Sequence, residues 1–228
     1  MKGSSGVMKK TRLFFKILDE KRHALLPKLE FLRKEYGFYL AGGTALALQI
    51  GHRTSVDFDF YTPRTFDPGV LYRKLKEAIP MISPVHTAKE TLMVGIPEKK
   101  ERIEMSFFRY DYPLLRPLMI TEYLDLVSVE DIAAMKIIAI VQRGTKRDFV
   151  DIYYLLKRYN LETLLKMTTQ KYSAFNRYIG LRGLTYFEDA EIDKSRGRLE
   201  LFEKLEWDSV KKNIAQTVAQ HAKEQLHQ

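Results

Sequence analysis

The sequence contains no cysteine, which excludes disulfide bridges and thiol chemistry and fits a reducing compartment. It also lacks any apolar run near the length of a membrane span, and no charged-then-apolar leader ends in a small-residue cleavage site. A cytoplasmic protein with no membrane contact is therefore expected. The five histidines show no metal-binding spacing, and no serine, histidine and acid combination marks a hydrolytic triad. What is present is an ordinary globular composition: 228 residues, 45% hydrophobic and 29% charged, enough for one large or two small cores. Lysine and arginine number 38 against 29 acidic residues, a formal charge of +9, which favours polyanions such as nucleic acid or triphosphate. Met1 to Val7 is small and polar, the composition of an expression scar ahead of Met8, and is not used in reading the fold.

The chain is organised around Phe38 to Tyr61, FYLAGGTALALQIGHRTSVDFDFY. A short apolar run ends at Gly42 and Gly43, the composition of a strand stopping at a tight turn. Thr44 is expected to cap the helix that follows, through Ile50. Backbone amides at such a junction point outward with the helix dipole behind them and favour phosphate. Ser55 to Tyr61 then alternates strictly, so Ser55, Asp57, Asp59 and Tyr61 share one strand face while Val56, Phe58 and Phe60 share the other. Aspartate is a poor strand former, and two in a strand rich in aromatics call for a reason. Hard divalent cations, which take oxygen ligands and hold phosphate oxygens at their open positions, supply one. The competing reading is a plain turn beside a solvated polar face.

These residues resemble the first motif of the AbiEii/AbiGii toxin family of nucleotidyltransferases: Gly-Gly-Thr/Ser, a helix, an Arg-x-Ser step, then Asp-x-Asp. Further on, DIAAMKIIAIVQRGTKRDFVDIYYLL resembles the same family's downstream motif, a helical lysine followed by an Arg-Asp pair and a second aspartate. The resemblance implies an α+β fold: a polymerase-beta-like nucleotidyltransferase core with a small mixed sheet, followed by a helical C-terminal subdomain. It implies magnesium or manganese as cofactor and a nucleoside triphosphate as substrate. It further implies a toxin that modifies an acceptor such as a tRNA 3′ end, and a cognate antitoxin. A non-catalytic nucleotide- or RNA-binding module of the same fold, and a transferase acting on protein or a small molecule, are the alternatives.

Within that frame Asp57 and Asp59 are the expected metal ligands, and Gly42, Gly43, Thr44, Arg53 and Ser55 are expected to hold the nucleotide. Three strands are read at 81–87, 91–96 and 102–109. On the last, Glu104 faces away from Ile103, Met105 and Phe107 and is the candidate third ligand; its competing role is a surface pair with Arg102 or Arg109. Pro113 and Pro117 mark a connecting loop, which places the core at residues 1–118, with its N-terminal helices read from Lys9 to Tyr36, and the helical subdomain at 119–228. Lys136 is the one charge in the apolar run 132–141 and must either snorkel to water or meet an anion. Its match to the family's lysine turns that anion into phosphate. Arg147 and Asp151 stand four apart and suit an intrahelical pair, while Asp148 and Asp151 are read as supports behind the metal rather than ligands. Beyond residue 160, basic residues including Lys171, Arg177, Lys194, Arg196, Arg198 and Lys211 interleave with Tyr172, Tyr178 and Tyr186, a pattern shared by nucleic-acid tracks and solvated helical bundles.

Overall fold

A computed structural model describes residues 13–98, 102–192 and 200–226. The expected start of the first helix at Lys9, and Lys194, Arg196 and Arg198, lie outside the described residues. The N-terminal region is not one helix. Asp19 caps α1 (Glu20–Leu25) through its side chain, Pro27 sits in a 3-10 turn, and α2 (Glu30–Tyr36) ends on Gly37 with φ of +66°. Then come β1 (Tyr39–Ala41), α3 (Gly42–Ile50), β2 (Phe58–Thr62) and α4 (Pro68–Ala78), the last capped by Asp67 with Pro68 in its first turn, where a missing N–H costs no helical bond. Three further strands, β3 (Ser83–Ala88), β4 (Thr91–Ile96) and β5 (Ile103–Arg109), fall within two residues of their expected bounds.

The sheet is mixed and open, in the order β3-β4-β5-β2-β1 with β6 (Asp125–Leu126) outside β1. Strands β2 and β5 are parallel, as are β1 and β6, and the other neighbours are antiparallel. Because β6 pairs with β1, the sheet takes a strand from beyond residue 118, and the helical portion begins ten residues later than the prolines suggested, at α5 (Val129–Gln142). Four more helices follow it closely, α6 (Lys146–Leu156), α7 (Leu161–Lys171), α8 (Arg177–Thr185) and α9 (Glu188–Ile192), and α10 (Trp207–Leu226) ends the described chain.

The register separates two faces. Leu40, Phe58, Phe60, Met105 and Phe107 are fully buried, with Phe60 stacked on Phe107 at 5.1 Å, and form the core side. Asp59 lies opposite Ser106, and Tyr61 opposite Phe108, on the other side. There α5 roofs the sheet and packs against α3, α6, α7 and α8. A buried ion pair fixes the connecting loop beneath that roof: Lys171 Nζ donates to Asp131 Oδ1 and to the Pro113 carbonyl, both at 2.7 Å. Asp131 also accepts from the backbone of Leu115 and Arg116 and from Ser128 Oγ. Lys171 is thus a structural anchor rather than part of a basic track. Lys171→Ala leaves the Asp131 carboxylate buried without its cation, and chemical denaturation is expected to show a loss of about 3–5 kcal/mol.

Candidate active site

One cleft of about 460 Å³ lies between the sheet's second face and α5. It is lined by Gly42, Gly43, Thr44, Arg53, Ser55, Asp57, Asp59, Glu104, Lys136 and Asp148, so ten of the eleven residues singled out in the sequence reach it. The eleventh, Asp151, is fully buried behind the cleft wall.

The glycine turn is built by contact. Gly42 has φ of +64°, and a Cβ there would stand 2.3 Å from Asp59 Oδ2. A Cβ at Gly43 would stand 2.2 Å from Arg53 Nη2. Each glycine therefore makes room for one charged side chain, beyond the turn that composition predicts. Helix α3 starts at Gly42 itself, and no side chain caps it. Thr44, expected as the cap, lies in the first turn instead; its hydroxyl donates to the Asp57 carbonyl and stands 2.7 Å from Ser55 Oγ. Thr44 and Ser55 thereby bind the helix start to the segment that delivers the aspartates. Arg22, which the sequence gave no reason to single out, holds that segment from the other side, its Nε donating to the Val56 carbonyl at 2.7 Å.

Asp57 stands just ahead of β2 and Asp59 within it, so the regular strand is three residues shorter at its start than the alternation suggested. Burial, reinforced by the Asp57 charge, pushes the Asp59 carboxyl up to about 6. Asp57 Oδ2 lies 3.9 Å from Arg147 Nη1. Glu104 extends from β5 into the same cleft and accepts from Arg102 Nε at 2.5 Å, so the surface pair weighed for it exists alongside its place in the lining.

Behind the cleft lies an ionic hub. Arg53 gives Asp151 two hydrogen bonds, Nε to Oδ1 at 2.7 Å and Nη2 to Oδ2 at 2.9 Å. Lys136 Nζ stands 2.6 Å from Asp151 Oδ2 and 2.8 Å from Asp148 Oδ1. The anion that Lys136 meets is therefore a pair of carboxylates. Arg147 turns toward Asp57, and the expected intrahelical pair with Asp151 is replaced by the hub. Burial alone would raise the Asp151 carboxyl; Arg53 and Lys136 overcome it and hold Asp151 well below the usual range. His52 completes the hub, Nε2 at 2.7 Å from Asp151 Oδ1, and burial holds its pKa down. No regular spacing marks His52 in the sequence. The backbone of this corner is clamped by a distant segment: Arg53 bridges Leu201, Thr54 N donates to the Glu200 carbonyl at 2.9 Å, and Phe202 N donates to the His52 carbonyl at 3.3 Å.

The depressed Asp151 pKa fixes the sign of a pH effect. Its stabilisation is present above the ordinary aspartate value of 3.8 and is lost as the pH falls through the lower folded value. Asp151→Ala is expected to cost about 3–5 kcal/mol at neutral pH by leaving Arg53 and Lys136 buried without their anion. Denaturation curves at pH 7 and pH 3 check both, the deficit shrinking at the lower pH.

A sequence model described as the nucleotidyl transferase AbiEii toxin of type IV toxin-antitoxin systems matches residues 24–227. An uncharacterised protein of Aquifex aeolicus (strain VF5), aq_aa25, is 35% identical over 214 residues, covering 90% of this chain and 98% of that one. Among solved structures, JHP933 from Helicobacter pylori superposes with a TM-score of 0.57 at 18% identity, covering 92% of this chain and 97% of that one. MenT4, a nucleotidyltransferase toxin from Mycobacterium tuberculosis H37Rv, gives 0.54 at 15% identity, covering 86% and 82%. The two structures establish a shared fold. With the glycine turn, the paired aspartates and the ionic hub in one cleft, and a family match running from α1 into the end of the chain, the protein belongs to the AbiEii nucleotidyl transferase toxin family of type IV toxin-antitoxin systems.

Proposed function

We propose that the cleft transfers a nucleoside monophosphate from a nucleoside triphosphate to an acceptor hydroxyl, with a divalent cation held by Asp57, Asp59 and Glu104. The observation that carries this reading is the contact of Gly42 with Asp59, which sets a helix start, suited to phosphate, directly against a carboxylate. The donor set fits magnesium or manganese, being hard oxygen throughout. Among the described residues no three acidic or histidine side chains converge tightly enough to hold an ion alone. That suits a cation which keeps several waters and is bound by one or two carboxylates together with substrate phosphates. When bound, such a cation neutralises phosphate charge and lowers the pKa of the acceptor hydroxyl.

The chain's own residues supply position and charge. Gly42 and Gly43 line the cleft at the positive end of α3, a position that suits the outer phosphates. The acceptor hydroxyl releases its proton to solvent as its oxygen bonds to the α-phosphorus, the bond to the oxygen bridging to the β-phosphate breaks, and pyrophosphate leaves. Arg53 and Lys136 are matched by Asp148 and Asp151, so their part is to hold the cleft wall rigid. Arg143, 3.4 Å from Asp148, and Arg147, 3.9 Å from Asp57, stand on the cleft lining and bring further positive charge toward the leaving group. The formal charge of +9 favours a polyanionic acceptor, and an RNA 3′ end such as that of tRNA fits it best. The family's toxin-antitoxin context supplies the reason to look for a cognate antitoxin.

The test offers each of the four α-labelled triphosphates with magnesium and total RNA, purified tRNA or cell extract. Label in tRNA with stoichiometric pyrophosphate supports the reading; label in protein redirects the acceptor, and binding without pyrophosphate release means a non-catalytic module. Asp57→Ala and Asp59→Ala are each expected to lower transfer by about 100-fold or more with the thermal midpoint little changed. Undiminished transfer in both variants removes the metal assignment.

A further inference from the structure

The far end of the cleft differs from its acidic end. The register puts Tyr61 two residues beyond Asp59 on β2, and Phe108 two residues beyond Ser106 on β5, on the same sheet face. The two pairs are about 7 Å apart along the strands, a span that a ribose bridges between a phosphate and its base. Tyr61 and Phe108 face each other across the strands with ring centroids 5.5 Å apart. Tyr110 follows, its ring 5.0 Å from Tyr61, and its hydroxyl is hydrogen-bonded to that of Tyr172 at the end of α7. All four rings line the cleft.

Packing accounts for them only in part: Tyr39 stacks on Tyr61 at 6.4 Å, and Tyr112 lies 4.9 Å from Tyr110 and 4.7 Å from Tyr172, while all four still line the cleft. The sheet's other aromatic set, Phe58, Phe60 and Phe107, is fully buried within the continuous core. Phe108, Tyr110 and Tyr172 stand outside that core, and Tyr61 only borders it. Phe108 and Tyr110 are partly exposed, and the exposure falls on the cleft side. The Tyr110–Tyr172 hydrogen bond joins the sheet to the helical portion and fixes the ring's plane. Lys171 Nζ, itself held by Asp131, lies 5.4 Å from the Tyr110 ring centre on the inner side. An aromatic wall already held in place at a nucleoside's length from the carboxylates is a stacking platform, and stacking serves any base because every base has a π face.

We infer that the wall formed by Tyr61, Phe108, Tyr110 and Tyr172 receives the nucleobase of the donor nucleotide by stacking, with the phosphates running back toward Gly42. This rests on the nucleotidyltransferase reading of the same cleft. It assigns these tyrosines a binding role that is separate from the metal and phosphate chemistry.

The experiment compares direct binding of the four nucleoside triphosphates with that of inorganic tripolyphosphate, all with magnesium, to the full chain and to Tyr110→Leu. The unmodified protein should bind at least one triphosphate roughly tenfold or more tightly than tripolyphosphate. Tyr110→Leu should erase most of that difference while leaving tripolyphosphate binding unchanged. Phe108→Leu, which leaves the Tyr110–Tyr172 tie intact, serves the same purpose should Tyr110→Leu not fold. In the unmodified protein, proton magnetic resonance should show the Tyr110 ring signals shifted by a triphosphate and unmoved by tripolyphosphate. Equal binding of the two ligands, an undiminished preference in both leucine variants, or ring signals indifferent to the base would each overturn the assignment. Absence of any base preference in the unmodified protein, with tripolyphosphate still bound, separates failure of this assignment from failure of the broader reading, in which neither ligand binds at all.

Discussion

The arrangement of this protein depends on the salt bridge between Arg53 and Asp151. One partner lies in the corner between α3 and β2, the other on α6, and ninety-eight positions of chain separate them. Neither group reaches bulk water, so each is tolerated only because the other is there, and the fork geometry of the guanidinium fixes their relative orientation as well as their distance. Lys136 extends the pairing to α5 and Asp148, and His52 adds a fourth neighbour. The helical portion is thereby set against the sheet at one angle, and the cleft is the space left between them. A hydrophobic contact of the same area would hold the two parts together without fixing that angle.

The sheet divides its labour by face. On one side, phenylalanines and aliphatic residues pack into the core. On the other, the same two-residue period brings Asp59 and then Tyr61 on β2, and Glu104, Ser106 and then Phe108 on β5. The register sets Asp59 beside Ser106 and Tyr61 beside Phe108, so a polar pair is followed by an aromatic pair along the face. The strand pairing thus sets the order of the cleft before any helix covers it.

Much of this was legible in the sequence, and the failures share a cause. Alternation placed Asp59 and Tyr61 together because a strand's period is fixed by its backbone, whatever lies around it. Asp67, Ser128 and Thr145 cap their helices through their own side chains, and such capping is local chemistry that residue type signals without tertiary context. Lys136 was marked as a charge in need of an anion, but the identity of that anion is a tertiary fact. Asp148 and Asp151 are distant enough in sequence that spacing could not choose them over phosphate. Arg147 and Asp151 satisfied the four-residue rule and still did not pair, since two buried cations outcompete one at the cleft's edge. Thr44 had the composition of a cap, yet the glycines ahead of it let the helix begin sooner. β6, two residues long, carries no periodicity to detect. His52 and Arg22 act through the company they keep, and a single sequence does not record that company.

The clamp of Glu200, Leu201 and Phe202 on the His52–Thr54 corner has a consequence for biosynthesis. The glycine turn and the paired aspartates lie between Gly42 and Asp59, but the backbone that carries Arg53 is held by residues 200–202, with Thr54 and Glu200 separated by 146 positions. A nascent chain on the ribosome therefore carries the carboxylates well before it can finish the corner beside them. Synthesis must therefore pass residue 202 before the corner that carries Arg53 can close.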